Sequence, residues 1–162
     1  MTAAPPLSVL LPVRDGAAHL DEAIDSIERQ SFTDFEVLAV DDGSTDETYE
    51  KLLMWASRDA RVTVIKQAAR GIIAALEAGR AAARGQYLAR MDADDFSAPS
   101  RLEEQMVALE ADPSLTCLGT WAWIFRECPD VYEGELTPPE QLPDIRRRLL
   151  STTPILHGSI VA

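Results

Sequence analysis

The order of hydrophobic and polar positions predicts strands that alternate with amphipathic helices. Short apolar runs, typical of buried strands, occur at 8–12, 35–40, 62–66 and 86–91. The segments between them repeat their apolar positions at helical spacing and predict helices that begin near residues 20, 44, 70 and 99. This alternation indicates βαβ units, and therefore an α/β domain with a mostly parallel central sheet flanked by helices.

Particular residues predict where some of these elements begin and end. Pro12 is expected to stop the first strand, because proline cannot donate to a strand ladder. Ser44 and Glu47 have the spacing of a capping box and are expected to open the second helix. Gly85 is expected to end the third helix as its C′ residue.

The pattern is less regular in the last third of the chain. Trp55 is expected in the core. Of Trp121 and Trp123, one is expected to face the core and the other the rim of a pocket. The predicted elements are a strand within 115–125, an irregular Pro- and Glu-rich segment at 126–144, a short helix at 145–150 and a last strand at 155–161.

Length and composition indicate one globular domain. The chain has 162 residues, of which 46% are hydrophobic and 26% charged, which is enough apolar material for a core. Its 27 acidic residues outnumber 15 Lys and Arg, which gives a formal charge of −12. Because no basic cluster stands out, binding to DNA or RNA is not expected.

The sequence carries no sign of export or of a membrane span. No apolar run approaches the roughly 20 residues of a transmembrane helix, and the N-terminus lacks the basic and apolar regions of a signal peptide. Cys117 and Cys128 have no metal-ligand spacing, so both are expected to be reduced and structural. A cytoplasmic location is the expectation.

Three predicted strands end in residues that carry chemistry. The first ends in Pro12-Val13-Arg14, the second in Asp41-Asp42, and the fourth in an acidic cluster at 92–95. Parallel strands present their carboxyl ends at one edge, where ligands bind. Crowded carboxylates repel one another unless a cation lies between them, which points to a divalent metal and an anionic substrate. A carboxylate can also accept a nucleobase N–H, and an arginine can contact phosphate.

The segments 11–14, 40–46 and 85–95 resemble, in this order, three landmarks of family 2 glycosyltransferases, and residues 97–105 resemble the helix after the family's Asp-x-Asp motif. The resemblance implies a Rossmann-like GT-A fold over residues 1–162. Residues 7–125 would form the nucleotide-sugar and metal-binding core. Residues 126–162 would begin an acceptor-side region that is incomplete at the C-terminus.

The resemblance also implies roles for individual residues. Asp42 would accept the N3–H of uracil or a related base, while Asp41 would support the turn or approach the nucleoside. Asp92 and Asp94 would form the Asp-x-Asp motif that holds Mn²⁺ or Mg²⁺. The residues assigned in this way to the nucleotide are Pro12, Val13, Arg14, Asp41, Asp42, Arg70 and Asp92.

This sequence departs from the family pattern at two places. Leu76 and Glu77 replace an Arg-Asn pair that is common in the family, which leaves Arg70 or Arg80 as the candidate phosphate contact. The acidic general base of the family has no counterpart here and is expected downstream of Ala162. The sequence is therefore interpreted as the N-terminal, donor-binding part of such an enzyme.

The implied activity is metal-dependent transfer of a sugar from a nucleotide-diphospho-sugar, expected to be a UDP-sugar, to an acceptor hydroxyl with inversion. The acceptor would be a saccharide or lipid-linked saccharide in bacterial cell-surface polysaccharide or glycoconjugate synthesis, with peripheral membrane contact allowed. A non-catalytic nucleotide-sugar-binding module stays open as an alternative. A phospho-acceptor receiver is disfavoured because the first strand ends in Pro12-Val13-Arg14, and a nucleotidyltransferase because it would need a glycine-rich loop near that strand.

Overall fold

The computed structural model describes residues 4–125 and 132–162. Four strands pair in parallel in the order β3-β2-β1-β4, which confirms the predicted α/β architecture with a mostly parallel sheet. These strands are β1 (Leu7–Val13), β2 (Phe35–Asp42), β3 (Val62–Gln67) and β4 (Tyr87–Arg90). Every residue of β1 and β2 is buried, as expected for inner strands covered on both faces.

Helices cover the two faces of this sheet. They are α1 (Leu20–Glu28), α2 (Thr48–Arg58), α3 (Ile72–Ala82) and α4 (Arg101–Ala111). Apolar residues of α1, α2 and α4 share one core cluster with alternate residues of β1 and β2. Trp55 lies in this cluster and is 1% exposed, as predicted. On the other face α3 packs closely, because a Cβ at Gly79 would lie only 3.2 Å from the Leu10 side chain.

Three predicted boundaries were wrong, each because a tertiary contact decided it. β1 continues through Pro12 to Val13, which is tolerated because β4 pairs with β1 only as far as Leu10. Helix α3 ends at Ala82, and Gly85 instead lies against β1, where a Cβ would come within 2.6 Å of the Ser8 nitrogen. No capping box forms, since α2 begins at Thr48 and Oγ of Ser44 instead accepts a hydrogen bond from the Asp15 N–H at 3.0 Å.

The last third of the described chain differs most from the prediction. The predicted strand at 115–125 is reduced to β5 (Ala122–Phe125). It pairs antiparallel with β6 (Tyr132–Leu136), a strand that lies inside the segment predicted to be irregular. Helix α5 (Leu142–Arg148) begins earlier than expected. The predicted last strand is a 3₁₀ turn at His157–Ser159 followed by isolated antiparallel bridges at Val161.

Several side-chain predictions can also be compared with the structure. Trp121 and Trp123 are 53% and 75% exposed, so the prediction that one of them faces the core was wrong. Cys117 is a free, half-buried thiol, whereas Cys128 lies outside the described residues. Across residues 4–125 and 132–162, no helix is both long and apolar enough to cross a membrane.

Candidate functional site

A cleft opens where β4 leaves β1. The two strands pair from Leu7 to Leu10, and the Met91 N–H still donates to the Leu10 carbonyl oxygen at 3.1 Å. Beyond this point β1 continues beside β2, while the chain after β4 turns away as the acidic loop, which comprises residues 92–95. Strands β2 and β3 lie on one side of β1, whereas β4 lies on its other side, so the strand order reverses at β1. In open α/β sheets, ligands bind at the carboxyl ends of the strands where the order reverses.

The cleft has a volume of about 340 Å³ and brings two predicted segments together. The end of β1 forms one wall, and the acidic loop forms the other. The predicted residues that line it are Pro12, Val13, Arg14, Asp92 and Asp94. Asp15, Gly16, His19, Ile72, Arg90 and Ala93 complete the lining. Asp41, Asp42 and Arg70 lie outside this lining, so the predicted site is divided into a cleft and a neighbouring loop cluster.

Arg90 and Asp92 form an ion pair inside the cleft. Nε and Nη2 of Arg90 both donate to the same oxygen, Oδ1 of Asp92, at 3.0 and 2.8 Å. The two side chains are 22% and 32% exposed, so the ion pair is partly accessible to solvent. The other oxygen, Oδ2, faces Gly158, where a Cβ would lie 3.3 Å from it.

Gly158 lies directly against the acidic loop. A Cβ at this position would be 2.5 Å from Oδ2 of Asp95. Burial raises the pKa of the Asp95 carboxyl group, and the negative charges of Asp92 and Asp94 raise it further, while the guanidinium of Arg101 opposes them. The acidic loop thus concentrates like charge beside a backbone segment that leaves no room for a side chain.

Two side chains of α4 hold this backbone segment in place. Nη1 of Arg101 donates to the Gly158 carbonyl oxygen at 2.8 Å, and Nε2 of Gln105 donates to the carbonyl oxygens of Ser159 and Leu118 at 2.8 and 3.0 Å. Burial lowers the pKa of Arg101 to about 10, and the charge of Asp95 opposes that shift. One face of α4 therefore positions the 3₁₀ turn against the acidic loop.

Asp42 is held by the loop that follows β3. Its Oδ1 accepts hydrogen bonds from the side chain of Gln67 at 2.7 Å and from the backbone of Arg70 at 2.8 Å, and its Oδ2 accepts one from the backbone of Gly71 at 2.8 Å. These donors, the Arg70 N–H first among them, hold the pKa of Asp42 below its ordinary value, and the charge of Arg14 contributes. One lone pair of Oδ2 has no protein donor within the described chain.

Asp41 has a different environment from its neighbour. It is fully buried, and its Oδ1 accepts a 3.3 Å hydrogen bond from the Ser44 N–H. Its Oδ2 has no hydrogen-bond partner within residues 4–125 and 132–162. The contact with Ser44 joins Asp41 to the turn after β2, and an approach of Asp41 to a nucleoside stays a prediction.

A set of hydrogen bonds ties the loop after β1 to the loop after β2. Asp15 accepts from the N–H and hydroxyl of Thr45 at 2.7 and 3.1 Å, and its own N–H donates to Oγ of Ser44 at 3.0 Å. Ala17 donates its N–H to Asp46 at 3.1 Å. We call these contacts of Asp15, Ser44, Thr45, Ala17 and Asp46 the loop clasp. It fixes the wall of the cleft that carries Asp15.

The acidic loop supplies oxygen ligands of the kind that a hard divalent ion takes. Within the described residues, no three His, Cys, Asp or Glu side chains are grouped to hold a metal by themselves. Mg²⁺, however, is commonly held by one or two carboxylates together with substrate phosphates and water. Asp92 and Asp94 supply such a hard-oxygen pair in a cleft that also contains Arg14. The residues present therefore fit a hard divalent ion.

Sequence reasoning missed several residues of the site. Arg90 had a visible signal, since it is the one charged residue in the apolar run before Asp92. Asp15 follows Arg14 at the edge of the sheet and received no role of its own, although Asp before Gly16 is a residue type that tolerates the positive φ of 49° observed there. Gly158 gave no local signal, because its importance comes from a contact with residues more than 60 positions earlier.

Comparisons with known proteins match the chain over almost its whole length. A sequence model described as glycosyl transferase family 2 matches residues 8–161. An uncharacterized glycosyltransferase of Haemophilus influenzae is 34% identical over 159 residues, which cover 96% of this chain and 46% of that protein. The putative glycosyltransferase EpsE of Bacillus subtilis is 32% identical over 163 residues, which cover 99% of this chain and 57% of that protein.

A solved structure extends the similarity to the fold. The mannosyltransferase PcManGT from Pyrobaculum calidifontis, in complex with GDP-Man and Mn²⁺, superposes with a TM-score of 0.70 and 25% identity. The match covers 99% of this chain and 44% of that chain. The chain thus spans about half the length of the curated relatives it matches.

Proposed function

Because this chain belongs to glycosyl transferase family 2, we propose that it binds a nucleotide-diphospho-sugar and a divalent metal ion at the carboxyl edge of its sheet, for transfer of the sugar to an acceptor hydroxyl with inversion. The acceptor class that we propose is a saccharide or lipid-linked saccharide of a surface polysaccharide or glycoconjugate. A UDP-sugar is the proposed donor, and the GDP-Man complex of the Pyrobaculum relative makes a GDP-sugar its rival.

The observation that carries this proposal is the cleft between β1 and β4. It combines an arginine, Arg14, with two carboxylates, Asp92 and Asp94, within one space of about 340 Å³. A diphosphate is an anion that needs positive charge, whereas the carboxylates repel it unless a cation lies between. A site with both features suits a diphosphate that arrives together with a divalent ion.

We assign the metal and diphosphate end of the donor to the acidic loop. Asp92 and Asp94 would hold the ion, and Arg14 would contact the nucleotide from the opposite wall. The chemistry that an ion held there supplies is neutralisation of the negative charge that develops on the leaving diphosphate. Gly158 and Arg101 keep the loop in place while that charge moves.

We assign the nucleobase end to Asp42 and its neighbours. The free lone pair on Oδ2 of Asp42 can accept one N–H, which is what the N3–H of uracil offers. The three protein donors on Asp42 already keep it ionised and hold its orientation. In this arrangement Arg70 acts through its backbone N–H, which positions Asp42, and Pro12 and Val13 supply the apolar wall between the two ends.

The reaction that these groups would support is a single displacement. The bond between the anomeric carbon and the diphosphate oxygen breaks, and its electron pair leaves with the diphosphate. The acceptor oxygen forms a new bond to the anomeric carbon and loses its proton to a base. Positioning of the donor by Arg14, Asp42, Asp92 and Asp94 lowers the entropic part of the barrier.

Binding of the donor nucleotide tests the proposal directly. We expect UDP with Mn²⁺ to give a heat of binding in calorimetry and to raise the free energy of unfolding by about 2.7 kcal/mol at a hundredfold excess over its Kd. GDP measured in parallel decides between the two donor classes. Absence of heat and of thermal stabilisation with both nucleotides would rule out the donor site.

Substitution of one carboxylate tests the metal assignment. Asp94→Ala should lower the affinity for UDP in the presence of Mn²⁺ at least about tenfold and remove the effect of Mn²⁺ on it, because one of two charged ligands is lost. Asp34→Ala is the matched control, since Asp34 is exposed just before β2. If Asp94→Ala keeps the full Mn²⁺ effect, the metal lies elsewhere. UDP binding by the full-length protein without turnover on any acceptor would favour a non-catalytic binding module.

A further inference from the structure

Arg90 lines the cleft and is paired with a carboxylate of the acidic loop. It uses two N–H groups on a single oxygen, Oδ1 of Asp92. The two N–H groups belong to one guanidinium, so both approach Oδ1 from the same side. A metal ion on this oxygen would lie next to the guanidinium, and the two positive charges would repel each other. Metal binding at Oδ1 and the Arg90–Asp92 pair therefore disfavour each other.

The second oxygen of Asp92 gives a metal no easier route. Oδ2 of Asp92 points toward the Gly158 backbone, since a Cβ at Gly158 would lie 3.3 Å from it. Gly158 itself is fixed by Arg101. Oδ1 is consequently the oxygen of Asp92 that the open cleft offers.

The Arg90 side chain remains in the cleft when a metal ion binds its partner, Asp92. Its backbone is held on both sides, because its N–H donates to Ile160 and its carbonyl oxygen accepts from Arg101. Only the side chain can move, and it lines the same space as Arg14. A guanidinium released from one carboxylate pairs best with another oxyanion, and a diphosphate offers several in a geometry that suits it.

We propose that Arg90 is a diphosphate-binding residue that exchanges Asp92 for diphosphate oxygens when the nucleotide and its metal ion enter the cleft. This inference rests on the proposed function, since it takes the nucleotide diphosphate as the ligand. Before binding, Arg90 neutralises Asp92 and so limits repulsion in the acidic loop. After binding, it and Arg14 face the diphosphate from the two walls of the cleft.

If this exchange occurs, loss of Arg90 should change the affinity for the metal ion and the affinity for the nucleotide in opposite directions. In Arg90→Met, Mn²⁺ alone should bind about two- to fivefold more tightly, because no internal cation competes for Oδ1. UDP in the presence of Mn²⁺ should bind about tenfold more weakly, because a charged hydrogen-bond partner of the diphosphate is lost. Arg90→Lys should recover part of the UDP affinity, because it restores the charge without the two-pronged geometry.

The experiment is calorimetry on the full-length protein with Mn²⁺ alone and with UDP plus Mn²⁺, or GDP if the wild type prefers it. Arg58→Met is the matched control, because Arg58 forms an exposed ion pair with Glu28 at the end of α2. Thermal unfolding of each variant establishes that it is folded. If Arg90→Met does not fold, Arg90→Lys replaces it in the comparison.

The outcomes separate this inference from the proposed function. If the wild type binds nucleotide and Arg90→Met binds it equally well, the inference is wrong and the proposed function stands. If Arg90→Met weakens Mn²⁺ and UDP together, Arg90 merely holds Asp92 in place and the exchange is wrong. If the wild type binds neither UDP nor GDP, both are wrong.

Discussion

At the scale of single residues, three carboxylates of the site are already hydrogen-bonded or paired within the protein. Asp42 accepts hydrogen bonds from N–H donors, Asp92 is paired with Arg90, and Asp15 accepts hydrogen bonds from Thr45. Hydrogen bonds to a charged group contribute about 1.5–3 kcal/mol each, which makes such arrangements stiff. A pre-positioned site loses less entropy when a ligand binds.

Asp15 offers a test of the loop clasp. Its φ of 49° is accessible to Asp and Asn but strained for Ala. Asp15→Ala should therefore lower the free energy of unfolding by about 1 kcal/mol, through lost hydrogen bonds and backbone strain together. Asp15→Asn keeps the conformation and one acceptor oxygen, so it should cost about half as much or less. Urea unfolding measures the free energy of unfolding of both variants. If both lose the same amount, the acceptor oxygen and the backbone preference that Asn retains do not contribute to stability.

At the scale of elements, α4 connects two parts of the site that are distant in sequence. Arg101 and Gln105 lie one turn apart on its buried face, and both donate to backbone carbonyl oxygens of the segment after Leu156. That segment also bridges to Ala89 of β4 and to Leu118. The position of Gly158 against the acidic loop therefore depends on one helix.

Gln105→Met measures this dependence, since it keeps the volume and removes the donors. The carbonyl oxygens of Leu118 and Ser159 would lose their side-chain partner, which should lower the free energy of unfolding by about 2 kcal/mol. Hydrogen exchange at the Val161 amide should become faster, because its bridge loses support. Glu104→Ala, exposed on the same helix, is the control and should stay within about 0.5 kcal/mol. Unchanged protection of Val161 would contradict the anchoring role.

At the scale of the whole molecule, acidic charge sets how stability responds to pH. The formal charge is −12 and the isoelectric point is about 4.5, so mild acid relieves overall repulsion. The buried carboxylate of Glu36 has the opposite effect, because it loses its stabilising contribution in acid. Burial raises the pKa of Glu36, but the backbone N–H of Arg84, the hydroxyl of Ser8 and the guanidinium of Arg84 outweigh burial and hold that pKa below its ordinary 4.5.

A lowered pKa in the folded state means that ionised Glu36 stabilises the fold. That contribution is complete above pH 4.5 and is lost as the pH falls through the lower pKa of the folded protein. Glu36→Gln should thus be less stable than the wild type at pH 7, and the difference should shrink as the pH falls below 4.5. Denaturant unfolding at a series of pH values measures it. A difference that stays constant with pH would show that the ionised form contributes nothing.

The sequence by itself determined most of the architecture up to the end of α4. Apolar runs and helical spacing predicted the four parallel strands and the four helices, because those patterns reflect burial on two faces of a sheet. It also predicted that Arg14, Asp92 and Asp94 meet, because parallel strands present their carboxyl ends at one edge.

Only the tertiary structure decided how the site residues are paired. The strand order β3-β2-β1-β4 put Arg14 and Asp92 in one cleft and left Asp42 to the loop after β3. The Arg90–Asp92 pair, the loop clasp and the contact of Gly158 with Asp95 depend on rotamers and on contacts across the chain. Local periodicity carries no information about such contacts, since it reports which face of an element is buried and not what lies opposite.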